Sequence, residues 1–256
     1  MTEYQYLKFE KADGVARITF ARPKHNVFNI DMMKEFIGVL QSLSADAELK
    51  CVVLFGEGTS WCAGVDVGDH KPEMAGTMID AFNRSLSLIE NLEVPTVAAV
   101  HGACLGGGME YAIACDVVVA GKKAKFGQPE VKLGFLPPYA AIRLPLLVGP
   151  AKAIEVCTSG RIYSAEDAQA MGFVGQVTEQ DAFFEEVERL VGEFTACSPL
   201  ILRLNKKAVK DHMGLDFPSA VKKVSSLFLE KLMKTEDTQE GIASFYEKRK
   251  PEWQNK

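Results

Sequence analysis

Glu110 closes the stretch CLGGGME, and Glu130 lies twenty positions on, in KFGQPEVKLGF. A carboxyl in the first turn of a helix is favoured in its charged form by the helix dipole, whereas burial raises its pKa. Two such groups near one carbonyl suit proton transfer and water activation. Each taken singly also fits a plainer role, Glu110 as a cap or ion pair and Glu130 as surface charge. The triplet Gly106-Gly107-Gly108 and the small-residue turn in SWCAGVD both carry amides that side chains do not cover. Singly they fit close helix–strand packing and an ordinary turn. Together they offer two convergent N–H donors, which an oxyanion hole requires.

These groups need a rigid frame, and composition provides for one. The chain has 256 residues, 47% hydrophobic and 25% charged, enough for a large core with an appendage. No apolar run reaches the roughly 18 residues that cross a bilayer. The start MTEYQYLKFEKADG lacks the apolar segment of a signal peptide, so a cytoplasmic protein is expected. A net charge of −5 argues against a general nucleic-acid binder. Six cysteines form no CxxC pair and read as small apolar residues, and four histidines show no ligand spacing, so no metal site is expected.

Along the chain, YLKFEKA and VARITFA alternate across Asp13-Gly14 and predict a hairpin. Asn29 is placed to cap a helix running to about Leu43, whose Met32, Met33, Phe36, Ile37 and Leu40 recur at helical spacing. CVVLFG, VPTVAAVHG and DVVVA read as buried strands, with helices over 74–92 and MEYAIAC between them. Glu130 falls on a predicted loop. The alternation predicts a mixed α/β core of repeated strand-strand-helix units. From Tyr139 onward strand signals thin out; Ser164 with Asp167 marks a helix start, and SPLILRLNKKAV and AVKKVSSLFLEKLM carry apolar faces. We divide the chain into an α/β core, 1–195, and a C-terminal helical region, 196–256, whose spare apolar faces predict a homo-oligomer.

In order and spacing, WCAGVD, HGACLGGGMEYAIACDVVVA, AKFGQPEVKLG and EGIASFYEKRKPEW resemble the enoyl-CoA hydratase/isomerase (crotonase) superfamily over essentially the whole chain. The resemblance implies a spiral of ββα units followed by a helical trimerisation region, assembled as a trimer or a dimer of trimers. It implies that the Val65 and Gly107 amides hold a thioester oxygen and that Glu110 and Glu130 occupy the hydratases' two acid/base positions. Coenzyme A enters as part of the substrate, so no separate cofactor is expected, nor a nucleic-acid or membrane partner. In ARPKHNVFN, Lys24 matches a CoA-contacting position; Ala63, Asp66 and Val67 match the adenine and pantetheine path; Phe245 and Lys248 match C-terminal residues that reach CoA, often across a subunit boundary.

One segment departs from the family pattern. Where straight-chain hydratases commonly read PGAGGTQRL, this chain reads PPYAAIRL, one residue shorter, with Pro138 in place of a glycine. That loop lines the acyl pocket, where Phe135, Leu136 and Tyr139 are candidates to shape it. This loop, DHKPE at 69–73 and EGIASFYEKR are similar to cyclohexa-1,5-diene-1-carboxyl-CoA hydratases of anaerobic aromatic degradation. The expected activity is therefore hydration of an α,β-unsaturated acyl-CoA, with a cyclic dienoyl thioester as the expected substrate. The alternatives are a straight-chain 2-enoyl-CoA hydratase, a double-bond isomerase of the same fold and a non-catalytic acyl-CoA-binding oligomer.

Overall fold

The computed structural model describes residues 4–256. The hairpin opens the chain as β1 (Leu7–Ala12) and β2 (Val15–Phe20), paired from Leu7↔Phe20 to Ala12↔Val15. Both turn residues have left-handed backbone, Asp13 at φ 51 and Gly14 at φ 77, the geometry of a two-residue turn that follows the strands' twist. α1 (Ile30–Leu43) begins at Asn29, whose side chain accepts from Met32 N, as expected.

The strand-strand-helix repeat then runs as follows. β3 (Cys51–Gly56) and β4 (Ser60–Cys62) lead to α2 (Pro72–Asn91); β5 (Thr96–Val100) and β6 (Ala103–Leu105) lead to α3 (Gly107–Ala114). A third pair, β7 (Val117–Gly121) and β8 (Lys125–Gly127), is followed by a 3-10 turn over Pro129–Leu133, then α4 (Ala140–Val148) and α5 (Pro150–Ser159). β9 (Ile162–Ser164), α6 (Ala165–Met171), β10 (Gln176–Thr178) and α7 (Phe183–Thr195) complete the core. Ser164 and Asp167 form the reciprocal capping box that the sequence predicts.

The two strands of each pair part company. The first of each joins a six-stranded sheet of order β1-β2-β3-β5-β7-β10, and the second joins a four-stranded sheet of order β4-β6-β8-β9. From β2 to β10 the large sheet is parallel. One of its faces packs on the main core, where Phe20, Phe28, Phe36, Trp61, Phe82 and Tyr111 interlock as edge-to-face and tilted pairs. The other face, including Val53, Val97 and Val119, is covered by Phe183, Val187 and Val191 of α7. Burial on both sides explains why these strands read as unbroken apolar runs.

α8 (Pro199–Lys210), α9 (Phe217–Ser226) and α10 (Glu236–Glu247) form the C-terminal region. α9 does not continue as a plain α-helix through AVKKVSSLFLEKLM: it widens into a π turn at Leu227–Lys231. These helices bury little, and Val209, Phe217 and Leu229 stand exposed. Among the described residues no helix is long and apolar enough to cross a membrane.

Candidate active site

The small sheet delivers the site. β4 and β6 run parallel, with Cys62 beside Cys104, so the turns leaving them stand side by side. Gly106 ends the second strand at φ 54 and ψ −133, a backbone conformation that only glycine takes readily. α3 then packs directly on backbone: a Cβ at Gly108 would meet Cys62 O at 2.3 Å. Gly107 is the first residue of α3, so its N–H lies outside the intrahelical ladder.

The facing amide belongs to Val65. Val65 is bridged in parallel to Phe28, with Phe28 N donating to Gly64 O at 2.9 Å and Asp66 N donating to Phe28 O at 2.8 Å. In that pattern the intervening Val65 N–H points away from Phe28. Val65 and Gly107 stand in close contact: a Cβ on Gly107 would lie 2.6 Å from Val65 Cγ2.

Glu110 sits one turn into α3 and is 2% exposed. Its Oε1 accepts from Tyr139 N at 2.7 Å and Ala140 N at 2.8 Å, the amides that open α4. Burial pushes its pKa up to about 8; the charge of Glu130 adds to the rise, and the two amide bonds oppose it. Glu130 occupies the 3-10 turn rather than an irregular loop. Burial pushes it up to about 7. Its Oε1 lies over Gly106, 2.7 Å from where a Cβ there would stand. Gln128 is fully buried, and with its amide assigned so that nitrogen faces the carboxylate it donates to both Glu130 oxygens at 3.0 Å.

Both carboxyls, Gly107 and Val65 line one cavity of about 370 Å³. Its walls are apolar, with Met78, Ile79 and Phe82 on one side and Leu133, Phe135 and Leu136 on the other. Two backbone amides and two carboxyls of raised pKa around an apolar-walled slot form an arrangement that can polarise a carbonyl and move protons beside it. Ala63, Val67 and Pro138 also line this cavity.

The remaining expected contacts lie elsewhere. Asp66 caps the 3-10 turn Val67–His70 through Gly68 N and pairs with Arg22 at 3.1 Å. Lys24 is exposed on the turn after β2. Phe245 is 77% exposed on α10, Lys248 ends that helix, and neither lines the cavity within one chain. Tyr139 touches the site through its backbone amide alone, because its hydroxyl donates to Glu90 and its ring is not part of the cavity wall.

Sequence reasoning missed two residues. Gln128 carried a signal, since it stands two positions before Glu130 at a strand end. His70 stood inside the DHKPE segment without a role of its own, and the 3-10 turn at 67–70 brings it to the cavity wall. Its Nδ1 lies 2.9 Å from Asp66 O; a carbonyl only accepts, so Nδ1 is the donor in this bond. Its ring packs against Phe135 at a tilt of 39°, centroids 4.7 Å apart.

The family model for enoyl-CoA hydratase/isomerase matches residues 10–256. The chain is 33% identical over 253 residues to crotonyl-CoA hydratase of Syntrophomonas wolfei, covering 96% of this chain and 97% of that protein. It is 31% identical over 273 residues to a mitochondrial Delta(3,5)-Delta(2,4)-dienoyl-CoA isomerase of Dictyostelium discoideum, covering 98% and 92%. Among solved structures, enoyl-CoA hydratase from Bacillus anthracis superposes with a TM-score of 0.94 at 27% identity, over 98% of this chain and 100% of that one.

Proposed function

Because the chain belongs to the enoyl-CoA hydratase/isomerase family, we propose that it is a hydro-lyase adding water across the C=C bond of an α,β-unsaturated acyl-CoA. The observation that carries this reading is a buried carboxyl, Glu110, and a half-buried one, Glu130, raised to about 8 and about 7 on one cavity with Val65 and Gly107. Near neutral pH such a pair holds one proton between its members. The ionised carboxyl takes a proton from water as the water oxygen bonds to Cβ. The C=C electrons move toward the thioester, whose oxygen gains charge facing the two amides, and the protonated carboxyl supplies Cα. The apolar walls keep competing water out and strengthen the amide–oxyanion attraction.

An isomerase is the second reading, and the likeness to a dienoyl-CoA isomerase favours it. It needs one proton relay and no added water, whereas this cavity holds two carboxyls. Reaction in H₂¹⁸O separates the two: the label enters the product of a hydratase and not that of an isomerase. Binding of acyl-CoA without turnover would point instead to a non-catalytic oligomer.

For the acyl group we propose a cyclic dienoyl thioester, cyclohexa-1,5-diene-1-carboxyl-CoA. Support comes from Pro138 in the wall of the cavity, on the loop one residue shorter than in straight-chain enzymes, and from the tilted His70–Phe135 pair that lines the same cavity. A wall stiffened by a proline and packed aromatic rings suits a ring better than a flexible chain. The hydratase relative from Syntrophomonas wolfei is named for crotonyl-CoA, so a panel of cyclic and linear enoyl-CoA esters read by mass spectrometry is the deciding assay. Fast crotonyl-CoA hydration with none of the cyclic diene would remove the ring from this reading.

The exposed Val209, Phe217 and Leu229 support a trimer or dimer of trimers in which Phe245 and Lys248 reach a neighbour's CoA. Light scattering gives the mass. For its location we propose the cytoplasm.

A further inference from the structure

One polar chain runs from the C-terminal helices to the site without entering the cavity. It starts at α8, where Lys210 Nζ donates to Glu90 Oε2 at 2.6 Å and to the Glu90 backbone carbonyl at 2.9 Å. Glu90 Oε1 in turn accepts from the Tyr139 hydroxyl. Arg143 lies 3.8 Å from the same oxygen and donates to Ile113 O on the helix that carries Glu110. Asp116, held by Lys206 at 2.5 Å, stands 3.9 Å from Lys210 and completes the charges facing it. Burial works to raise the Glu90 pKa, but the bonds from Lys210 and Tyr139 outweigh it and leave the carboxyl below its usual range. Glu90 is therefore an ionised anchor at neutral pH. Bonds to an ionised group are about twice as strong as neutral ones.

Tyr139 is tied at two points. Its ring end is fixed to Glu90, and its amide grips Glu110 Oε1 at 2.7 Å. The residue sits at the entrance to α4, in the segment that distinguishes this chain from straight-chain hydratases. We propose that Tyr139 is a positioning residue for Glu110, its hydroxyl anchored on the Glu90–Lys210 pair so that docking of α8 sets where the reacting carboxyl stands. This rests on the reading of Glu110 as an acid/base group. A carboxyl displaced by about 1 Å can cost up to about 10²-fold in rate, so the effect belongs in kcat more than in KM.

The test uses the full-length enzyme with its best thioester from the panel. Tyr139→Phe keeps ring and amide and removes only the hydroxyl; it should lower kcat about tenfold with KM within about twofold. Lys210→Met should do the same, and Lys210→Arg should recover most of the loss. In the double variant the losses should not multiply, because both cut one chain. A Tyr139→Phe enzyme with unchanged kcat, or losses that multiply in the double variant, overturns the proposal, as does an effect confined to KM. Glu110→Gln measured alongside separates the two levels. If it keeps full activity, the acid/base reading fails; if it is inactive while Tyr139→Phe is unimpaired, only the positioning role fails.

Discussion

Replacing Glu110 with Gln should cost activity and gain alkaline stability at once. Gln copies the protonated carboxyl, since its carbonyl oxygen can still accept from Tyr139 N and Ala140 N. It cannot ionise. In the native enzyme burial lifts Glu110 from 4.5 to about 8. Between those values the unfolded chain has released this proton and the folded chain still holds it. Stability conferred by the protonated form is thus fully present below 4.5 and drains away as pH rises, until the folded carboxyl ionises near 8. Each pH unit is worth about 1.4 kcal/mol, so from pH 5.5 to 8 the native enzyme should lose about 3 kcal/mol that the variant keeps. Titrating groups remote from the site are common to both proteins and cancel. Urea unfolding of both at those two pH values, at one protein concentration, reads the difference. A gap between the two proteins that is flat with pH, or that moves in the native enzyme's favour, would refute the buried, protonated carboxyl. Hydration by the variant should fall about 10²- to 10⁴-fold.

With the pair raised to about 7 and about 8, kcat/KM should be bell-shaped: activity falls below about 7 as the second proton binds and above about 8 as the last one leaves. A stopped-flow pH series checks both limbs. Gly107→Ala places a Cβ 2.6 Å from Val65 Cγ2 and should lower kcat about 10²- to 10³-fold by spoiling one oxyanion donor, with circular dichroism unchanged. Pro138→Gly should shift the cyclic-to-linear ratio of kcat/KM toward linear esters by about tenfold, measured by competition between the two thioesters.

The hairpin, the Asn29 cap, the buried strands and the Ser164–Asp167 box were legible because each shows in residues within a few positions of one another. That Glu110 and Glu130 meet at one cavity was legible only from the order and spacing of their motifs, which resemble those of the family, because each carboxyl taken singly also fits a cap or surface charge. The division of β3 from β4, and of β5 from β6, between two sheets was not, since both members of a pair are short and apolar. Tyr139 read as a pocket-shaping aromatic, yet its hydroxyl turns to Glu90, forty-nine positions earlier. Lys206 and Lys210 look like one solvated stripe of a helix; their partners, Asp116 and Glu90, lie 90 and 120 positions away. Pairings of that range leave no periodic trace in the sequence.

Both sheets add their strands in chain order, β1-β2-β3-β5-β7-β10 in one and β4-β6-β8-β9 in the other. During synthesis each strand after the first of its sheet thus emerges when the edge that it pairs with has already been made, and no strand needs to be inserted between two earlier ones. The ribosome can lengthen this protein as a mason lengthens a wall. Glu110 leaves it before the β7 edge exists, Glu130 after, and Lys210 only when the sheets are complete. A chain released early would therefore carry a nearly finished scaffold with an unfastened carboxyl, and activity would be among the last properties acquired.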